Sequence, residues 1–122
     1  MKITEKSPLG QKGEQIAYNY LSKLGYVLLG RNWRFKHKEI DLIMMDGDEL
    51  VIVEVKTRST AYFERPQDAV NLKKQRLLIQ AANAYVEQKD FSGNIRFDVV
   101  SIICNEQITK VEHIQDAFYP MA

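Results

Sequence analysis

Apolar residues recur along the chain at spacings that predict two helices and several strands. Residues 13–25 carry apolar side chains at helical intervals and end at Gly25, a residue type that often terminates helices. Residues 67–89 repeat the helical spacing over a longer span, and the Gly-Asn pair at 93–94 separates them from the next segment. Strands are predicted at residues 26–29, 32–36, 38–45, 49–58, 96–103 and 107–112.

The order of these elements predicts an α/β architecture. A helix, three strands, a crossover helix and a further strand favour one domain over residues 1–122, with a mixed central sheet flanked by helices. We expect the polar residues 1–12 to form a loose N-terminal arm and residues 58–66 to form an irregular crossover. A short helical turn is expected before Pro120.

The apolar runs on either side of residues 46–48 are predicted to form a β-hairpin, because Asp-Gly-Asp is a strong turn sequence. A symmetric turn would place Asp41 directly opposite Glu54 and Glu39 opposite Lys56. The hairpin therefore brings two carboxylates together on one face of the sheet, with a lysine at the next position.

Two facing carboxylates favour a bound cation. Like charges opposite each other are destabilising, and removing them from water costs more unless something compensates. Mg²⁺ prefers one or two carboxylates and several waters, so Asp41 and Glu54 are candidate ligands for Mg²⁺ or Mn²⁺. Lys56 could orient a water molecule or balance the charge of a phosphate. The layout favours metal-assisted hydrolysis of a phosphodiester; a simple ion-pair network on an exposed strand is the alternative.

Composition sets the class of protein without selecting a partner. The 122 residues include 17 basic and 16 acidic ones, so the net charge of +1 argues neither for nor against nucleic acid. The single cysteine, Cys104, excludes an internal disulfide, fits a reducing compartment and is expected to be a small buried side chain. No apolar run approaches the roughly 18 residues of a membrane span. We expect a cytoplasmic protein without a membrane partner.

Local clusters of basic residues indicate a nucleic-acid partner more directly than the net charge does. Several of them lead into the acidic hairpin and others begin the second helix, which suits contacts to phosphates. The candidates are Arg31, Arg34, Lys36, Lys38, Arg58, Lys73, Lys74 and Arg76. A solvated helix face is the alternative for the last three, and the interleaved Trp33 and Phe35 are expected to belong to the core.

Several motifs, in order, closely resemble the YraN-type family of small bacterial proteins. They are GEQIAYNYL, RNWRFKHKEIDLI, LVIVEVKTR, KKQR and RFDVV, and the similarity covers about residues 9–103. The resemblance implies membership of the PD-(D/E)xK nuclease superfamily, close to archaeal Holliday-junction resolvases. It implies a restriction-endonuclease-like α-β-β-β-α-β core.

Matched position by position, the resemblance implies a set of site residues. Glu14 corresponds to the first-helix acid, Asp41 to the metal-binding aspartate, and Glu54 and Lys56 to the acid and lysine of the signature. The backbone carbonyl of Val55 is implied as a further metal ligand. These five positions are the expected catalytic and metal-binding centre.

The implied activity is that of a Mg²⁺- or Mn²⁺-dependent endonuclease, acting on DNA in preference to RNA and selecting branched or single-stranded structures. A homodimer is expected by analogy alone. Lys38 departs from the family pattern, which has glycine there, and adds a cation beside the site. The alternative function is a non-catalytic nucleic-acid-binding module of the same fold.

Overall fold

A mixed five-stranded sheet with a helix on each face organises the chain. The computed structural model describes residues 6–60 and 70–119. The elements are α1 (Pro8–Lys23), β1 (Val27–Phe35), β2 (Lys38–Asp46), β3 (Glu49–Arg58), α2 (Leu72–Lys89), β4 (Ile95–Cys104) and β5 (Thr109–Phe118). The strands lie in sequence order; β3 and β4 are parallel and the other neighbours are antiparallel. The predicted α/β architecture is confirmed and is consistent with a restriction-endonuclease-like core.

The two helices build two separate cores against opposite faces of the sheet. Ala17 and Leu21 of α1 pack on Leu42, Val53 and their neighbours. The α2 core contains Leu78, Ala81, Ala82 and Tyr85 packed on Ile43, Ile52, Phe97 and Val99. Because both faces are covered, the central strands are almost continuously apolar, and a charged residue in them must find a partner at a strand end.

Helix α1 begins earlier than its apolar spacing predicts. The Ser7 hydroxyl accepts a hydrogen bond from the Gly10 N–H at 3.0 Å, and Pro8 stands in the first turn, where its missing N–H removes no helical bond. The prediction of a loose arm is therefore wrong for residues 8–12, and residues 1–5 lie outside the described part.

Helix α2 begins later than predicted. Asn71 caps it by accepting a hydrogen bond from the Lys74 N–H at 2.9 Å, and Asp90 ends it in the left-handed conformation. Val70 and Asn71 are not helical, and the predicted helical residues 67–69 lie outside the described part.

The β2–β3 hairpin has the predicted register. Pairs run from Asp46–Glu49 at the turn to Leu42–Val53, and Gly47 adopts the positive φ that a two-residue turn requires. The two extended segments predicted at residues 26–29 and 32–36 form one strand, β1, which is irregular near Leu29 and left-handed at Asn32.

Strand β5 is longer than the segment predicted at residues 107–112. It continues to Phe118, so the helical turn expected before Pro120 is wrong where the structure describes it. Residues 61–66 of the predicted crossover and Pro120 itself lie outside the described part. Cys104 is buried, as expected. Among the described residues, no helix is long and apolar enough to cross a membrane.

Candidate metal centre

Asp41 lies where the pairing of β2 with β3 ends. Backbone pairing stops at Leu42–Val53, and the next N–H on that side of β3, that of Val55, donates to Asp41 Oδ2 at 2.7 Å. The carboxylate replaces a backbone carbonyl as acceptor, so a half-buried N–H is satisfied and the Asp41 side chain is held in place.

The strand pairing predicted beyond this point is not formed. Asp41 and Glu54 are near one another but are not ladder partners, and Glu39 does not face Lys56. The Asp41 side chain instead lies beside Glu14, in the N-terminal half of α1.

Three carboxylates converge at this end of the sheet. Glu14 of α1 and Glu39 and Asp41 of β2 each offer an oxygen, and these oxygens lie within 4.8 Å of one another. Glu14 and Asp41 are buried, and Glu39 is half-buried. Oxygen ligands at this separation suit a hard divalent cation such as Mg²⁺ or Mn²⁺. We call these three residues the acidic cluster.

A close approach of α1 to β3 carries Glu14 to the acidic cluster. A Cβ added to Gly13 would lie 2.7 Å from both Cβ and Cγ2 of Thr57, and closer still to the Thr57 hydroxyl. Such contacts do not occur between real side chains, so the helix can rest at this distance only because residue 13 is glycine. Glycine inside a helix costs about 1 kcal/mol relative to alanine, which this packing offsets.

Lys6 places an ammonium group inside the acidic cluster. Its Nζ lies 2.5 Å from Asp41 Oδ1 and 3.1 Å from Glu39 Oε1, and it also forms an ion pair with Glu14. Three buried or half-buried carboxylates therefore share one cation that the chain itself supplies. The carboxylates thus attract a positive charge to this position, which supports their assignment as ligands of a metal ion.

Glu54 faces the same region from β3 but has a separate partner. Lys38 Nζ donates to both Glu54 oxygens at 3.3 Å. Burial, and next the negative charge of Asp41, raises the pKa of Glu54 to about 7, although Lys38 opposes the shift. The lysine that stands in place of the family glycine thus neutralises a predicted metal ligand.

All five residues of the predicted centre line one cavity of about 240 Å³: Glu14, Asp41, Glu54, Val55 and Lys56. Lys6, Thr57 and Lys74 line it as well. The cavity therefore combines carboxylates with lysines from β3 and from the start of α2. This arrangement can hold a divalent cation and a phosphate side by side.

The predicted nucleic-acid residues divide into two groups. Those near the cavity are Lys38, Lys74 and Arg34, whose Nη2 lies 3.6 Å from Glu39. Lys36 follows at the β1–β2 turn, with its Nζ 5.3 Å from the centre of the Phe35 ring.

The remaining predicted contacts are not among the residues that line the cavity. Arg31 stacks over the Tyr18 ring and contacts Gln15, so its side chain packs against α1. Lys73 and Arg76 are exposed on α2, and Arg58 is the half-buried last residue of β3.

A second polar cluster is buried near the opposite end of the α1 face. The Arg96 guanidinium donates to both Asp98 oxygens, at 2.9 and 3.0 Å, and to Tyr26. His113 Nε2 lies 2.7 Å from Asp98. Burial opposes ionisation of Asp98, but hydrogen bonds from His113 and Arg96 lower its pKa below the usual value. This cluster fixes β5 against β4 and is separate from the acidic cluster.

Sequence reasoning missed Lys6, Gly13 and the position of Glu39. The signal for Gly13 was present, since a glycine directly before the predicted acid in a helix requires a packing reason. Lys6 had no local signal, because its role depends on where the segment before α1 meets the start of β2.

The fold and this site define the class of protein: an α/β domain with a restriction-endonuclease-like core and an acidic pocket at one end of its sheet. The chain belongs to the uncharacterised protein family UPF0102, whose sequence pattern matches residues 13–102. The prediction of the YraN-type family is thereby confirmed.

Relatives in this family align over nearly the whole chain. The chain is 44% identical over 117 residues to a UPF0102 protein of Christiangramia forsetii, covering 96% of this chain and 98% of the relative. It is 46% identical over 121 residues to one of Flavobacterium johnsoniae, with coverage of 96% and 98%. It is 41% identical over 118 residues to one of Bacteroides thetaiotaomicron, with coverage of 97% and 98%.

Proposed function

We propose that this protein is a divalent-metal-dependent nuclease that hydrolyses phosphodiester bonds in DNA. One observation carries the proposal: Glu14, Asp41, Glu54 and Lys56 line one cavity, and an ammonium group is drawn in among its carboxylates. Buried carboxylates that converge are costly to remove from water, so a functional role explains the arrangement better than stability does.

The cation-binding residues are Glu14, Glu39 and Asp41, with Glu54 beside them. A bound Mg²⁺ or Mn²⁺ would polarise the scissile phosphate and make a water molecule more acidic. The Val55 N–H holds the Asp41 carboxylate in position, and the Val55 carbonyl is the further ligand that the family resemblance implies. The hairpin fixes the relative positions of Glu39, Asp41, Glu54 and Val55, and α1 adds Glu14.

We assign Lys56 and Lys74 to contact the scissile phosphate. Both line the cavity, from β3 and from the first turns of α2, where ammonium groups can balance the charge of the scissile phosphate. Lys56 is also the group we assign to orient the attacking water. Lys6 would have to leave the acidic cluster for a metal ion to bind there, because both require the same oxygens.

The preference for branched or single-stranded DNA over RNA, and the homodimer, follow from the family resemblance.

Cleavage assays test the proposal. Wild-type protein, Asp41→Asn, Lys56→Ala and the control Lys110→Ala are incubated with branched, flap, single-stranded, duplex and RNA substrates, with Mg²⁺, Mn²⁺ or EDTA. Lys110 is an exposed lysine of β5, paired with Glu112, and matches Lys56 in chemistry. We expect cleavage by wild type and by Lys110→Ala that requires metal and is lost in the two site variants.

Cleavage that persists in both site variants would assign the activity to a contaminant. Absence of cleavage on every substrate, with metal bound and nucleic acid bound, would favour the non-catalytic binding module instead.

A further inference from the structure

A large open groove lies between the edge strand β1 and helix α2. Its volume is about 910 Å³, and it is lined by residues 33–36 on one side and by Gln80, Asn83, Glu87 and Gln88 on the other. In the part of the chain that the structure describes, β1 pairs with β2 alone, so the groove opens at an edge of the sheet. We call it the β1–α2 groove.

The chemistry of the groove combines flat rings, cations and amides. Trp33 and Phe35 are half-buried and contribute ring surface, and Trp33 is held edge-on by Tyr85 at 5.3 Å between ring centres. Arg34 and Lys36 supply two positive charges against the one negative charge of Glu87 among the described lining residues. The exposed amides of Gln80 and Asn83 offer both donors and acceptors.

An ion pair connects the β1–α2 groove to the acidic cluster. Arg34 lines the groove, and its Nη2 lies 3.6 Å from Glu39, one of the three clustered carboxylates. The ion pair therefore forms the boundary between the two sites. A nucleic-acid strand that reached from the acidic cluster to the groove would cross the edge strand β1 at Arg34.

We propose that the β1–α2 groove binds an unpaired segment of nucleic acid next to the phosphate at the acidic cluster. Aromatic rings stack on bases, cations follow the backbone, and amides contact base edges; these are the recurring features of single-strand sites. A duplex fits less well, because its base faces are stacked and hidden from the rings. The inference rests on the proposed function and names the substrate class of that site.

Trp33 makes the groove directly observable, since it is the only tryptophan of the chain. The test is a titration in EDTA, where no metal-dependent cleavage occurs, with an oligothymidine and with a duplex of the same length. Binding is followed by anisotropy of a labelled oligonucleotide and by Trp33 emission. The variants are Gln80→Glu and Asn83→Glu in the groove. Gln107→Glu, at the exposed β4–β5 turn, is the control for the same chemical change.

We expect the oligothymidine to quench Trp33 emission over the concentration range in which it binds, and to bind more tightly than the duplex. Each groove variant should weaken this binding by roughly fivefold, because an added carboxylate repels phosphate, and Gln107→Glu should not. Unchanged Trp33 emission on binding, equal affinity for the duplex, or equal affinity of the groove variants would overturn the inference. Because metal is absent, this result is independent of whether the protein cleaves DNA.

Discussion

Gly13 of α1 and Thr57 of β3 are in such close contact that any side chain on residue 13 would overlap Thr57. The neighbours of the two residues in sequence are Glu14 and Lys56, which line the same cavity. The distance between α1 and β3 therefore sets the position of Glu14 relative to the other carboxylates.

Gly13→Ala should push α1 away from β3. An alanine in a helix is otherwise favourable, but overpacking costs about 1–3 kcal/mol and displaces Glu14 from Asp41. We expect a lower free energy of unfolding in urea and weaker Mn²⁺ binding. Thr57→Gly removes the overlap, so Gly13→Ala should have little further effect in that background. Equal effects of Gly13→Ala in both backgrounds would show that the contact does not position the helix.

Glu54 should make the metal-free protein less stable as the pH rises. Its pKa is about 7 in the folded chain and 4.5 in the unfolded one, so the folded state binds the proton more tightly between these values. The stability from this proton is complete below pH 4.5 and is lost as the pH rises through about 7. Urea unfolding in EDTA at a series of pH values should show this fall in wild type and a smaller fall in Glu54→Gln. Identical pH profiles would contradict the shift.

Lys6→Ala should strengthen metal binding. The Lys6 ammonium and a divalent cation require the same oxygens of Glu14, Glu39 and Asp41, so removing the ammonium removes a competitor. We expect Mn²⁺ affinity to rise by about fivefold in calorimetry, while the metal-free protein loses stability through repulsion within the acidic cluster. Lys12→Ala, an exposed lysine on α1, should leave both unchanged. Weaker Mn²⁺ binding by Lys6→Ala would show that Lys6 supports the metal site.

Arg96→Met should destabilise the fold strongly. It leaves the fully buried Asp98 without its guanidinium partner, and breaking a buried pair in this way costs about 3–5 kcal/mol. Lys110→Met breaks the exposed pair with Glu112 and should cost at most about 1 kcal/mol. Urea denaturation with an unchanged m-value measures both. Similar losses in the two variants would mean that the buried cluster contributes no more than a surface ion pair.

The hairpin could be predicted in detail because its signals are local. The turn residues and the two apolar runs determine the register from Leu42–Val53 to Asp46–Glu49, which is confirmed. β5 was harder to predict, since much of it is half-exposed and its polar residues alternate weakly. The start of α1 depends on the Ser7 cap rather than on apolar spacing, so the spacing alone placed it too late.

The residues of the site could be predicted from the sequence, but much of their geometry could not. Glu14, Asp41, Glu54 and Lys56 line one cavity, but the hydrogen bond from the Val55 N–H to Asp41 ends the pairing that the symmetric register would continue. Lys6 and Glu39 meet in one ion-pair cluster only because α1 packs across β2. Such contacts between distant segments leave no periodic trace in the sequence.

Calorimetric titration of Mn²⁺ into wild type and Asp41→Asn tests most directly whether the acidic cluster is a metal site. Asparagine can still accept the hydrogen bond from the Val55 N–H, so the variant should keep its fold while it loses the negative charge. We predict saturable binding to wild type and at least about tenfold weaker binding to the variant, since losing a charged ligand costs about 1.4 kcal/mol or more. No binding to wild type, or equal binding to both proteins, would contradict the account.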